Sequence, residues 1–399
     1  MSTALITVFI CLFVARFASE VCSRLKLPRV VGEILTGVLL GIPVIQSLVF
    51  SEESLSAISF IADIGIVLLF FYVGLGIDTK EFKKNFEITG FIALFSTLVP
   101  LVVGFFIMKL FFGFSLLASA IISICLAVSA QSVAVDSLDE IGALKRRIGK
   151  LLVTAGAVSD IFQLVLIAGI FAVLHTTLVQ TGILQLLVSL IVFLFAVLVF
   201  KLVLIPYALR FFKEENMHVS LFGGGVLFTI LMAALSEYLG FSSLLGALFA
   251  GIIVRAVMLR KKHLAVEEHH LTNMIKIISF GFFVPLFFVD VGLKTNINAI
   301  ASNFQLGLLL FAIATLCYIG GAVIGTFFSR ATPKEGFVIG WGLNSKGDVE
   351  LVIALLALSS GIFNQNLFSA IVLMSLLTTI VSPVVFRYLL KKNKSLHYY

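Results

Sequence analysis

Apolar runs long enough to cross a bilayer recur from one end of this sequence to the other, and no other feature constrains its fold as tightly. They fall at about residues 3–20, 28–46, 56–76, 87–112, 115–136, 148–173, 183–212, 219–238, 243–258, 272–290, 303–329, 335–359 and 365–390. A spanning helix takes roughly 20 residues, so thirteen runs account for nearly all of the 399 residues. Charged residues make up 12% and hydrophobic ones 60%, against about 25% charged in soluble domains. A soluble core cannot hide that much apolar surface, and a disordered chain would not carry it. The runs are continuous and do not alternate with period two, which excludes a transmembrane barrel. The sequence predicts an all-α integral membrane protein of about thirteen transmembrane helices.

The basic residues predict its orientation. Of 28 Lys and Arg, 22 lie in connections that follow odd-numbered runs, from Arg24/Lys26/Arg29 to Arg387/Lys391/Lys392/Lys394. Connections after even-numbered runs hold only Lys109 and Lys294. By the positive-inside rule the N-terminus is expected outside and the C-terminus in the cytoplasm of a multi-pass plasma-membrane protein. The net charge of +7 then reflects topology, and no basic, aromatic-interleaved segment points to nucleic acid. The first run lacks a basic segment before it and meets Arg16 where a cleavage site would lie, so it is expected to be a retained helix. Cys11, Cys22, Cys125 and Cys317 follow neither metal-ligand nor disulfide spacing and are expected as apolar packers.

Two pairs of segments repeat. VVGEILTGVLL, with Gly32 and Gly37, resembles LLGALFAGIIV, with Gly246 and Gly251, at an offset of 214. LLFFYVGLGID, with Gly74, resembles PLFFVDVGLKTN, with Gly292, at an offset of 218. The copies start at the second and ninth runs, an odd number of helices apart, so they insert with opposite orientation. Inverted-topology repeats are the architecture of many secondary transporters, with the substrate site near the midplane.

A charge deep in the bilayer costs several kcal/mol and is a functional candidate by default. The deep candidates are Asp160, Lys346, Asp348 and Glu350; Asp63, Asp136, Glu237 and Asp290 lie nearer the interfaces, and Glu33 lies in the Gly-rich second run. Asp160 is the only acid of the sixth run, preceded by Ser159 and followed almost a turn later by Gln163. Burial raises a carboxylate's proton affinity and a bound cation lowers it, so proton and cation compete for one group. Ser159 and nearby carbonyls can replace part of the ion's hydration shell. The fifth and twelfth runs are apolar at both ends and polar in the middle, through Ser129, Gln131, Ser132 and Asp136 in one and Asn344, Ser345, Lys346 and Asp348 in the other. Each reads as an interrupted helix, tolerated where it lines a cavity. Lys346 would then neutralise exposed carbonyl ends and Asp348 exposed amide ends; the alternative is a pairing of Lys346 with Asp348 or Glu350.

These residues together resemble the monovalent cation–proton antiporters of the NapA/Kef type, within the sodium/proton exchanger superfamily. The resemblance runs through LPRVVGEILTGVLLG (27–41), DIGIVLLFFYVGLGID (63–78), SAQSVAVDSLDEIGAL (129–144), GAVSDIFQLVLIA (156–168), LFFVDVGL (286–293) and GWGLNSKGDVELVIA (340–354). It implies an NhaA-like homodimer whose first to third and eighth to tenth helices (residues 1–86 and 214–302) form a dimerisation scaffold. Helices four to six and eleven to thirteen (87–173 and 303–392) would form a moving core, with helix seven (174–213) joining them and a short cytoplasmic tail at 393–399. It also implies elevator-like alternating access, with Asp160 as the ion-binding and proton-carrying acid. The sequence departs from the family in carrying Ser159 before Asp160, where a second acid, Asn or Gln is common, and Ala322 at the place of a family lysine. Lys346-Gly-Asp348 stands for Arg-Gly-Glu, and Gln131-Ser132 lies near a Thr-Ser pair. With one carboxylate and no lysine partner, exchange of Na⁺ or K⁺ for a proton is expected to be electroneutral.

The implied partners are the cation, the proton, the bilayer and a second copy of the chain. No cofactor is expected, and ligand regulation would require a separate soluble subunit. A sodium-coupled symporter of the same fold and a gated potassium efflux pathway are the alternatives. An intramembrane enzyme is disfavoured because HExxH and GxSxG are absent and His175 and His218 sit near opposite ends of apolar runs.

Overall fold

The computed structural model describes residues 2–25, 27–76, 79–129, 146–156, 217–239, 243–259, 265–347 and 349–392, together with isolated positions between 134 and 202. All regular structure among the described residues is helical. Seven helical stretches there are long and apolar enough to cross a membrane: Ala4–Arg24, Glu52–Gly76, Thr89–Phe111, Leu221–Tyr238, His270–Leu293, Phe304–Thr326 and Gln365–Lys392. Most of the seventh run and part of the sixth, Asp160 included, lie outside the described residues.

The chain forms two compact units. One comprises Met1–Leu12, Phe50–Ile77 and Ala168–Asp290; the other comprises Phe13–Val49, Asp78–Ile167 and Val291–Tyr399. Helix α1 (Ser2–Arg24) is divided between them. In the first unit, α4 (Glu52–Gly76) packs on α8 (Ser243–Met258), and α7 (Met217–Tyr238) packs on α8 and α9 (Ala265–Ile278). The Arg255 guanidinium donates to the Leu75 carbonyl, so a side chain of α8 satisfies the end of α4. Asp290 is buried and accepts from Ser59 Oγ at 2.9 Å.

The second unit holds α2 (Arg29–Leu40), α3 (Pro43–Val49), α5 (Thr79–Phe106), α6 (Leu116–Ala127), α12 (Phe304–Thr326), α13 (Pro333–Leu343), α14 (Val349–Ser359) and α15 (Gln365–Lys392). Helix α10 (Val284–Leu293) is divided between the two units, and the short α11 (Ile297–Ser302) precedes α12. Helix α12 lies against α5, α13 and α15. Phe91, Ile92 and Phe95 approach the bare faces of Gly321 and Gly325 so closely that a side chain at either glycine would strike the α5 backbone. The interior of this unit is apolar, built from Ile92, Ile148, Leu152, Tyr318, Ala322, Leu343 and Phe386 among others.

The second apolar run is not one straight span. Helices α2 and α3 meet at 88°, because Gly41 closes α2 and Pro43 opens a new helix at its first position. Glu33 is buried in α2 and accepts from Ser19 Oγ at 3.3 Å. The four cysteines are free; three are buried and Cys317 is half-buried.

The glycines of the repeated segments make matching close contacts. A Cβ at Gly74 would strike the Leu248 carbonyl and lie 3.0 Å from the Gly251 Cα and 3.1 Å from the Ile252 nitrogen. A Cβ at Gly292 would strike the Ile34 carbonyl and lie 2.7 Å from both the Gly37 Cα and the Val38 nitrogen. The contacted atoms correspond one to one across the 214-residue offset. Overpacking of a tight contact costs about 1–3 kcal/mol or more, and here the obstacle is backbone that cannot rotate away. Gly292→Val and Gly74→Val are each expected to abolish recovery of monodisperse protein from detergent. Gly320→Ala, which meets nothing within 4 Å, should leave the elution profile unchanged.

Candidate functional site

The site is built where two apolar helices stop short. Helix α6 starts at Ser115, whose Oγ accepts from the Ala118 nitrogen at 3.1 Å, and ends at Ala127, with Val128 turning into extended backbone. A 12-residue helix is about 18 Å long, shorter than the roughly 30 Å hydrocarbon core of a bilayer. Helix α13 opens on a capping box between Thr332 and Glu335 with Pro333 in its first turn, and ends at Leu343. Residues 344–347 are non-helical, and α14 resumes at Val349. Gly347 has φ +154°, a conformation that L side chains rarely adopt, with Thr379 and Val30 3.3 Å from where a Cβ would sit.

Lys346 links the two interruptions. It is 1% exposed, and its Nζ donates to the Val128 carbonyl, the group that closes α6. The ammonium also lies 5.2 Å from the Tyr318 ring centroid. A cation at the negative end of a helix dipole is stabilised, and in an apolar interior the charge-assisted bond gains strength. Glu350, fully buried in the first turn of α14, accepts from Ser375 Oγ at 2.7 Å, while its carbonyl accepts from Cys125 Sγ of α6 at 3.6 Å. Carboxylate and ammonium are therefore held at opposite polarities of helix end.

Beside this pair runs a chain of buried hydroxyls. The Tyr318 hydroxyl donates to Ser129 Oγ at 3.0 Å. The Gln163 carboxamide lies 2.8 Å from Ser129 Oγ and 2.9 Å from Ser159 Oγ, and Ser159 Oγ lies 3.3 Å from Thr97 Oγ1. Asn344 spans to Thr315 Oγ1 at 3.1 Å and to Ser382 Oγ at 3.0 Å through its Nδ2. Its Oδ1 and the Ser345 Oγ, both buried, have no hydrogen-bond partner among the described residues. On the loop side, Arg147 Nε meets the buried Glu335 carboxylate at 2.7 Å. That bond ties the start of the helix at 147–156 to the first turn of α13.

Of the residues singled out in the sequence, Ser159, Lys346 and Glu350 thus have defined surroundings. Asp160, Gln131, Ser132, Asp136 and Asp348 lie outside the described residues. Ala322, at the place of the family lysine, is fully buried in apolar packing, its Cβ 3.2 Å from where one would stand on Gly340. Tyr318 was not anticipated; its signal was a phenolic hydroxyl in an otherwise apolar run, which needs a partner when buried. Among the described residues no three His, Cys, Asp or Glu side chains gather into a metal centre. Among the described residues, hydroxyls, carbonyls and the carboxamides of Gln163 and Asn344 are the neutral oxygen donors there, and such hard ligands suit a hard monovalent ion.

Comparison with known proteins fits this geometry. Residues 7–392 match the sequence profile of the family described as "Sodium/hydrogen exchanger, transmembrane". The chain is 26% identical to the Na(+)/H(+)-K(+) antiporter GerN of Bacillus cereus, covering 94% of this chain and 92% of the relative. It is 28% identical to a Na(+)/H(+) antiporter of Enterococcus hirae, covering 94% of each. The fold resembles the sodium proton antiporter MjNhaP1 of Methanocaldococcus jannaschii, with a TM-score of 0.73 over 98% of both chains at 14% identity.

Proposed function

Because this chain belongs to the sodium/hydrogen exchanger family, whose members are transporters and not enzymes, we propose that it is a secondary antiporter exchanging Na⁺ or K⁺ for protons through Asp160. The observation that carries the reading is the Lys346 ammonium bound to the carbonyl end of α6, next to a hydroxyl cluster that ends on Ser159, the residue before Asp160. A fixed cation there offsets the dipole of the interrupted helix, which leaves Asp160 as the titratable group. In this reading Ser159, Ser132 and Gln131 contribute to the ion site, and Asp348, Glu350 and Asp136 balance half-helix charge.

The finer reading is thirteen helices in two inverted repeats, with the N-terminus outside, assembled as a homodimer that works by an elevator motion. The one-to-one correspondence of the Gly74 and Gly292 contacts supports the repeat. Electroneutrality is supported by Ala322, an apolar methyl where a lysine would supply a second charge.

Reconstituted in proteoliposomes carrying an imposed pH gradient, the protein should collapse the gradient on addition of Na⁺ or K⁺ and not on addition of choline. The rate should be the same with the membrane potential clamped at zero or at a large negative value. No cation-dependent collapse would sink the antiport reading; a rate that follows the potential would sink electroneutrality alone.

A further inference from the structure

We propose that Gln163 is the positioning residue of the exchange site: one carboxamide collects the protons of Ser129 and Ser159 and so turns both hydroxyls into cation ligands. The inference rests on the reading of Asp160 as the exchange acid and adds how the neutral ligands beside it are prepared.

A hydroxyl offers a lone pair to a cation only when its own proton is engaged elsewhere. The Gln163 carboxamide is satisfied at both ends in one orientation. In it, Oε1 accepts from Ser129 Oγ at 2.8 Å, from Ser159 Oγ at 2.9 Å and from the Ser129 nitrogen at 3.2 Å, while Nε2 donates to the Ser129 carbonyl at 3.2 Å. The same amide therefore also stands in for a peptide unit at Ser129, where the helix that ended at Ala127 no longer provides one. Ser129 and Ser159 belong to different segments, and nothing local in either makes their hydroxyl protons point to a common acceptor. Tyr318 adds a donor to Ser129 Oγ, which further commits the Ser129 proton to Gln163. Gln163 is only 4% exposed, and a carboxamide buried in an apolar span is costly unless its bonds are made. The remaining lone pairs of Ser129 and Ser159 are then available to a cation.

The test uses the full chain in detergent, with its unfolding temperature titrated by Na⁺, K⁺ and Li⁺ against choline at constant ionic strength. The cation concentration at half-maximal stabilisation should rise about tenfold or more in Gln163→Met, which fills the same volume without the bonds. Gln163→Glu keeps the acceptor for both hydroxyls and should titrate at or below the wild-type concentration. Gln163→Asn, too short to hold both serines, should fall on the Met side and carries the test if the Met variant does not fold. A purely structural residue would lower the cation-free unfolding temperature and leave every midpoint in place, which would overturn the proposal. A wild-type protein that no monovalent cation stabilises would overturn the exchange reading and this one with it. A wild type that responds, beside Met and Asn variants with unshifted midpoints, overturns the role of Gln163 alone.

Discussion

Asp160→Asn is expected to reduce cation-coupled dissipation of a pH gradient by about two orders of magnitude or more, to the leak of protein-free vesicles. The amide is nearly isosteric, so folding should survive and the loss should be chemical. A carboxylate deep in an apolar helix holds a proton or a cation but not both, because desolvation favours the neutral form and a bound cation favours the charged one. An amide does neither. Within the sixth run no other acid is present to replace it, and the described surroundings of Ser159 supply only neutral groups: Gln163 and Thr97. Asp160→Glu keeps the titrating group and should retain exchange at an altered cation concentration for half-maximal rate. Exchange by Asp160→Asn at a rate close to wild type would remove Asp160 from the mechanism.

Lys346→Met is the second large effect, and it is expected to strike stability as well as transport. Replacing both members of a buried polar pair by apolar groups can be neutral, but removing one member leaves the other desolvated without compensation. Here the survivor is the Val128 carbonyl and, behind it, the negative end of the α6 dipole. Leaving a buried acceptor unsatisfied costs about 1–3 kcal/mol, enough to lower the unfolding temperature in detergent clearly and to collapse transport. Lys346→Arg preserves the charge but not the shape: its planar fork must fit beside the Tyr318 ring, so intermediate stability is expected. A Lys346→Met protein that unfolds at the wild-type temperature would show that the ammonium does not hold the end of α6.

Much of the fold was legible because membrane insertion writes itself into composition. A bilayer demands long apolar runs and internally satisfied backbones, and the observed long helices follow the first, third, fourth, eighth, tenth, eleventh and thirteenth runs closely. The interruption at 344–347 was legible too, because Asn344, Ser345 and Lys346 put three polar side chains in succession into an apolar run, and Gly347 follows them. The bend between α2 and α3 was not, although Gly41 and Pro43 marked it. An apolar window averages over such a break, and hydropathy does not register backbone direction.

The sequence by itself determined that this chain lives in a membrane, and it placed the seven long apolar helices found among the described residues. Those properties depend on local composition, which any stretch of chain carries alone. Only the tertiary structure decided which carbonyl Lys346 reaches, that Tyr318 joins Ser129, and that one carboxamide holds Ser129 and Ser159 together. Hydrogen bonds are short and directional, so they depend on where helices far apart in sequence come to rest, and no periodicity within a single helix encodes that position.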